Sequence, residues 1–92
     1  MSNKCLHVLY KGRVQGVGFR YTAIDYARGL GLTGWVMNLA SGDVELVAEG
    51  PEENLQKLLT NIASAMRPHI KKVQVAWSDP RGKFKDFDIR FS

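Results

Sequence analysis

Ninety-two residues with 13 Lys+Arg, 9 Asp+Glu and 45% hydrophobic content read as one domain spanning 1–92, with no room for a second. Three prolines and nine glycines are ordinary usage, which excludes a disordered composition, and the apolar runs fall far short of the ~18 residues of a membrane span. The net charge of +4 is mild and favours anionic partners without deciding whether they are small phosphates or polymers.

The first predicted element is a strand over about Leu6–Arg13, where Leu6, Val8 and Tyr10 alternate with His7, Leu9 and Lys11; apolar residues on both faces suit a central strand. Gly12 to Arg20 is too rich in glycine for a regular element. Helical spacing begins near Arg20, with Ala23, Ile24, Ala27 and Leu30 on one stripe. A second strand over about Thr33–Leu39 and a third over about Val44–Glu49 flank the tight turn Ala40-Ser41-Gly42-Asp43, so the pair is a hairpin. Gly50-Pro51-Glu52-Glu53 opens a second helix, with proline at its first position and acids at the positive end of the dipole. Leu55, Leu58, Leu59, Ile62, Ala63 and Met66 form its apolar stripe, and Arg67-Pro68 ends it. A fourth strand covers about Ile70–Trp77, with Val73, Val75 and Trp77 on one face. After the turn Asp79-Pro80-Arg81-Gly82, the residues Phe87, Ile89 and Phe91 mark a fifth.

The order β-α-β-β-α-β-β, with right-handed crossovers, predicts an α+β chain: a ferredoxin-like split sheet of five strands, mostly antiparallel but mixed, with two helices on one face. That fold hosts enzymes, metal carriers and RNA binders, so function must be read from residues.

The most informative segment is Gly12-Arg13-Val14-Gln15-Gly16-Val17-Gly18-Phe19-Arg20, between a strand and a helix start. Unpaired amides at a helix start, joined by glycine turns, form a nest for an anion, and the guanidinium of Arg20 matches a phosphoryl group. The same residues serve equally as a connection that turns the chain. Neither the P-loop pattern nor the dinucleotide pattern of glycines is present. Asn38 shares a strand face with Gly34 and Val36, and asparagine is depleted in strands. It can hold a water molecule through an amide that donates and accepts, or it can begin the turn.

The other polar residues read as structural. His7 and His69 are read as surface histidines, and Glu45, Glu49, Glu52 and Glu53 as a solvated face and a helix-start bias. Lys71, Lys72, Lys83, Lys85 and Arg90 are read chiefly as solubilising charge. Cys5, the one cysteine, excludes an internal disulfide and a Cys-based metal cage and fits the cytoplasm. The start from Met1 to Lys11 lacks the apolar stretch of a secretory signal.

The Gly12–Arg20 segment and Gly34-Trp35-Val36-Met37-Asn38 together resemble the two signature segments of acylphosphatases, and length, element order and motif placement agree over essentially the whole chain. The family pattern continues past that asparagine with an Asp-Gly turn; here Ser41-Gly42, followed by Asp43, stands there and can make the same turn. The resemblance implies hydrolysis of the carboxyl–phosphate bond of acyl phosphates. The residue matching Arg20 would bind the phosphate within the loop Gln15, Gly16, Val17, Gly18, Phe19 and Arg20, and the residue matching Asn38 would position the attacking water. It further implies no metal and no cofactor, a small acyl phosphate and inorganic phosphate as ligands, no nucleic-acid or membrane partner, and a cytoplasmic monomer.

Two other classes compete. One is an RNA-binding module on the same sheet, which Gly16-Val17-Gly18-Phe19-Arg20-Tyr21 imitates in part, although it precedes a helix instead of lying in the third strand. The other is a phosphate-binding regulatory or maturation domain without turnover.

Overall fold

Alternation along the first strand decides how the sheet faces. In the computed structural model, which describes residues 2–91, β1 spans Asn3–Gly12. Leu6, Val8 and Tyr10 turn to one side and are buried, while Cys5, His7, Leu9 and Lys11 turn to the other. Then follow α1 (Phe19–Gly29), β2 (Thr33–Asn38), β3 (Val44–Pro51), α2 (Glu52–Met66), a 3-10 turn (Arg67–His69), β4 (Ile70–Ser78) and β5 (Phe87–Ile89). The strands lie in the order β4-β1-β3-β2-β5. Every pairing is antiparallel except that of β5 with β2, which is parallel. This is the mixed five-stranded sheet expected from the element order, with β1 an interior strand between β4 and β3.

The helices share the face of Leu6, Val8 and Tyr10. Phe19, Ala23, Ile24 and Ala27 of α1 and Leu55, Leu58, Ile62 and Met66 of α2 close a core with Val36, Val44, Leu46, Ala48 and Phe87. Each large apolar side chain buried there stabilises the fold by about 1.5–3 kcal/mol. Pro51 precedes α2 as its N-cap instead of occupying the first helical position, and Glu52 and Glu53 take the first turn.

One strand face that the sequence reading placed correctly is left uncovered by the helices, and one acid departs from that reading. Val73, Val75 and Trp77 stand opposite Tyr10, Val8 and Leu6, on the helix side, yet they are 40%, 43% and 39% exposed. β4 is the edge strand, and α2 packs on β1 and β3 without reaching over it. Glu49 is not part of a solvated face. It is 6% exposed, and its carboxylate accepts hydrogen bonds from the backbone N–H of Arg81 (2.8 Å) and Gly82 (3.0 Å), so the β4–β5 connection folds over that end of the sheet.

Candidate active site

The connection from β1 to α1 is pinned before it turns. Val14 is fully buried, and the side-chain amide of Gln15 donates to the carbonyls of Leu39 (2.7 Å) and Asp43 (2.8 Å) in the β2–β3 turn. Gly16 (φ 76°) and Gly18 (φ 77°) both adopt the left-handed conformation, which curls the backbone into the start of α1. Gly18 caps that helix with no side-chain hydrogen bond, and the first turn of α1 contains no acid, unlike that of α2. The positive end of the α1 dipole is therefore uncompensated by any acid of its own first turn.

A cavity of about 180 Å³ opens at this point, walled by Val14, Gly16, Gly18, Phe19, Arg20, Tyr21 and Asn38. Arg20 lies in the first turn of α1 and is half-buried; no ion pair among the described residues involves it, and its guanidinium carbon sits 5.6 Å from the ring centroid of Phe91. Asn38 ends β2 on the helix side, opposite Val44 of β3. Its Oδ1 is buried without a hydrogen-bond partner among the described residues, a costly arrangement for a polar atom. The β2–β3 turn is closed by other groups, with the Leu39 N–H donating to the Asp43 carbonyl (2.9 Å) and the Gly42 N–H to the Leu39 carbonyl (3.1 Å).

Of the residues singled out in the sequence, Gly16, Gly18, Phe19, Arg20 and Asn38 meet around this cavity. Gln15 turns its amide toward the hairpin, and Val17 points outward at the loop tip. Val14 and Tyr21 join the wall without having been read from the sequence. An apolar residue between glycines was the signal for the first, and the position next to Arg20 for the second. Phe19 anchors the site from below, its ring 4.8 Å from that of Tyr10. The Tyr10 phenol is fully buried, and burial drives its ionisation far above the ordinary range. Cys5 lies away from this cavity, and burial pushes its thiol up as well. Among the described residues, no three His, Cys, Asp or Glu side chains converge as metal ligands.

The sequence profile of the family described as Acylphosphatase matches residues 6–89. An acylphosphatase of Caldanaerobacter subterraneus subsp. tengcongensis is 41% identical over 87 residues, covering 94% of this chain and 97% of the relative. Among solved structures, acylphosphatase from Bacillus subtilis superposes with a TM-score of 0.86 at 33% identity, covering 95% of this chain and 98% of that one. HypF of T. kodakarensis superposes with a TM-score of 0.81 at 29% identity, covering 95% of this chain but 12% of the longer protein. The fold is thus the ferredoxin-like α+β sandwich of these structures. The chain belongs to the acylphosphatase family.

The loop geometry makes a direct prediction. A Cβ on Gly16 meets nothing within 4 Å, so Gly16→Val clashes with no protein atom. A β-branched residue nevertheless resists the left-handed backbone, at about 1–2 kcal/mol or more, and the loop relieves that strain by abandoning its curl. Inorganic phosphate is expected to inhibit the variant at least tenfold more weakly, while stability falls by no more than ~2 kcal/mol. Inhibition assays and a urea titration measure the two; unchanged phosphate inhibition in Gly16→Val shows that the curl is not needed.

Proposed function

We propose that the chain hydrolyses acyl phosphates to a carboxylate and inorganic phosphate, at the cavity formed by the β1–α1 loop, Arg20 and Asn38. The observation that carries this reading is the meeting of three groups around one cavity: the start of α1, capped by no side chain, the guanidinium of Arg20, which forms no ion pair among the described residues, and the Oδ1 of Asn38, which has no hydrogen-bond partner among them.

In this mechanism the phosphoryl dianion sits against the amides of residues 15–20, with the Arg20 fork on its oxygens. Asn38 Oδ1 accepts a hydrogen bond from the attacking water and aims its oxygen at phosphorus. The new O–P bond forms as the P–O bond to the acyl group breaks. The carboxylate leaves with the electron pair, and the proton of the water passes to an oxygen of the phosphate itself. A carboxylate is a good leaving group, so no strong general acid is required. Charge on the equatorial oxygens is held by preorganised donors, which is where phosphoryl transfer gains most of its rate. Every proposed group comes from one copy of the chain. The lone Cys5 supports a cytoplasmic setting for it.

Hydrolysis of benzoyl phosphate by the purified chain, with and without a chelator, tests this. Release of phosphate at the same rate in both is expected, since Arg20 and the amides supply the positive charge; loss of activity with the chelator overturns the metal-free route, and a folded chain that releases no phosphate overturns the activity. A second reading, phosphate binding without turnover, is favoured by the likeness to a segment of the much longer HypF. Under that reading single-turnover mixing shows binding with no product.

A further inference from the structure

The sheet face away from the helices carries a second cavity, of about 380 Å³, that shares no residue with the one at the phosphate loop. Its floor is Trp35, which stands in register with Val47 of β3 and Asp88 of β5 on the face that no helix covers. Phe84 forms an aromatic wall, and Arg81, Lys83 and Arg90 line the rim. The guanidinium carbon of Arg90 lies 4.5 Å from the Trp35 ring centroid.

The construction of this cavity leaves its cations without a carboxylate partner among the described residues. Glu49, the buried acid in its wall, accepts from two backbone amides of the covering loop, so its charge holds the loop in place and neutralises no side chain. His7, also in the wall, is bonded to Glu45 at 2.6 Å. The ion pairs among the described residues are His7–Glu45, Lys11–Asp43 and Arg28–Asp88, and none includes Arg81, Lys83 or Arg90. Three unpaired cations and two aromatic rings therefore face one hollow whose volume is that of a small-molecule site.

We propose that this cavity is a second binding site, separate from the hydrolytic one, for a nucleoside phosphate. The base stacks on Trp35 beside Phe84, displacing the Arg90 guanidinium from that ring, and the phosphate lies among Arg81, Lys83 and the displaced Arg90. Each part answers one half of the ligand. The half-buried indole of Trp35 offers its π face to a flat ring once the guanidinium of Arg90 moves off it, and guanidinium forks are matched to phosphoryl oxygens. Neither an aliphatic anion nor an uncharged aromatic uses both halves. The proposal does not depend on the hydrolytic reading, because no group is common to the two sites.

The chain has two tryptophans, so Trp77→Phe leaves Trp35 as the one indole emitter. In that background, titration with adenosine monophosphate is expected to quench Trp35 fluorescence saturably, whereas inorganic phosphate at the same concentration leaves it unchanged. Lys83→Ala and Arg90→Ala are each expected to weaken the nucleotide about tenfold, the loss of one charge-assisted contact. Arg20→Gln is expected to change nucleotide affinity by less than about twofold. Circular dichroism on each variant confirms folding; Lys83 and Arg90 are exposed, so neither removal opens the core. Absence of saturable quenching overturns the proposal. So does nucleotide binding that disappears with Arg20→Gln yet survives Lys83→Ala and Arg90→Ala. Single-stranded RNA that binds more than about tenfold tighter than the mononucleotide overturns it too, since the open face is then a nucleic-acid platform.

Discussion

Replacing Arg20 by glutamine is expected to lower kcat/KM for an acyl phosphate by roughly 10²–10⁴-fold, which is the loss of about 3–5 kcal/mol of transition-state stabilisation. The geometry sets both the size and the selectivity of the effect. Arg20 sits in the first turn of α1, where the left-handed Gly18 and the absence of first-turn acids leave the amides without a counter-charge from that turn. Its guanidinium has no carboxylate partner among the described residues, so none of their acids competes with a phosphoryl group for the fork. Glutamine keeps the reach and one amide donor but removes the charge, and inorganic phosphate should cease to compete with substrate. Stability is expected to change little. The contact of the Arg20 guanidinium with the Phe91 ring, at 5.6 Å, involves an exposed ring and is worth about 0.5 kcal/mol. Arg20→Lys separates charge from geometry. It retains the positive charge as a point source without the planar fork, so its kcat/KM should fall between the two. A folded Arg20→Gln chain that keeps more than about a tenth of the original kcat/KM removes Arg20 from its role as anchor.

The parts of the molecule that were legible in the sequence are those governed by local periodicity. The stripe from Leu55 to Met66 and the alternation in β1 and β3 gave helix, strand and face correctly, and short connections left few topologies to choose from. What periodicity does not carry is coverage. Val73, Val75 and Trp77 share the apolar face as expected, but whether a helix reaches them depends on where α2 lies across the sheet, which no residue of β4 records. Glu49 was misread for a related reason. Its alternation with Val44, Leu46 and Ala48 places it away from the helices, and only the covering loop, more than thirty residues downstream, buries it. In the site, Gly34 was visible as a motif residue without a reason. The fold supplies one: a Cβ there would stand 1.9 Å from the Val47 carbonyl oxygen, so β2 cannot lie against β3 with any side chain at that position. Gln15 shows the opposite case. The motif placed it in a loop whose backbone amides are proposed to hold phosphate, and its side chain in addition ties that loop to the β2–β3 hairpin. That tether couples the proposed phosphate cradle to the proposed water-holding residue, a link that no spacing in the sequence expresses.

Removing the Asn38 amide is expected to separate binding from chemistry. Asn38→Ala should lower kcat by about 10²–10³-fold, or roughly 2.7–4 kcal/mol, with the inhibition constant of inorganic phosphate changed less than about threefold. The reasoning starts from the buried Oδ1, which no group among the described residues satisfies. A buried acceptor left in this state costs about 1–3 kcal/mol, so without a ligand the amide is a burden on the fold and its removal should not destabilise it. The bland role, in which Asn38 begins the hairpin turn, meets a specific difficulty: the turn is already closed by the N–H groups of Leu39 and Gly42 and braced by Gln15. If turn formation were nevertheless the function of Asn38, the variant would unfold at lower urea and turn over normally per folded molecule. A water-holding amide gives the reverse, an unchanged or raised urea midpoint with depressed kcat, because its hydrogen bond to the water strengthens only as the oxygen closes on phosphorus. Asn38→Asp sharpens the contrast. A carboxylate still accepts from the water, but it sets a negative charge in the same cavity as the incoming dianion, so phosphate inhibition should weaken along with kcat, as it does not in Asn38→Ala. One preparation of each variant, assayed for kcat, phosphate inhibition and urea midpoint, decides between the two roles. A destabilised, fully active Asn38→Ala would falsify the water-holding one.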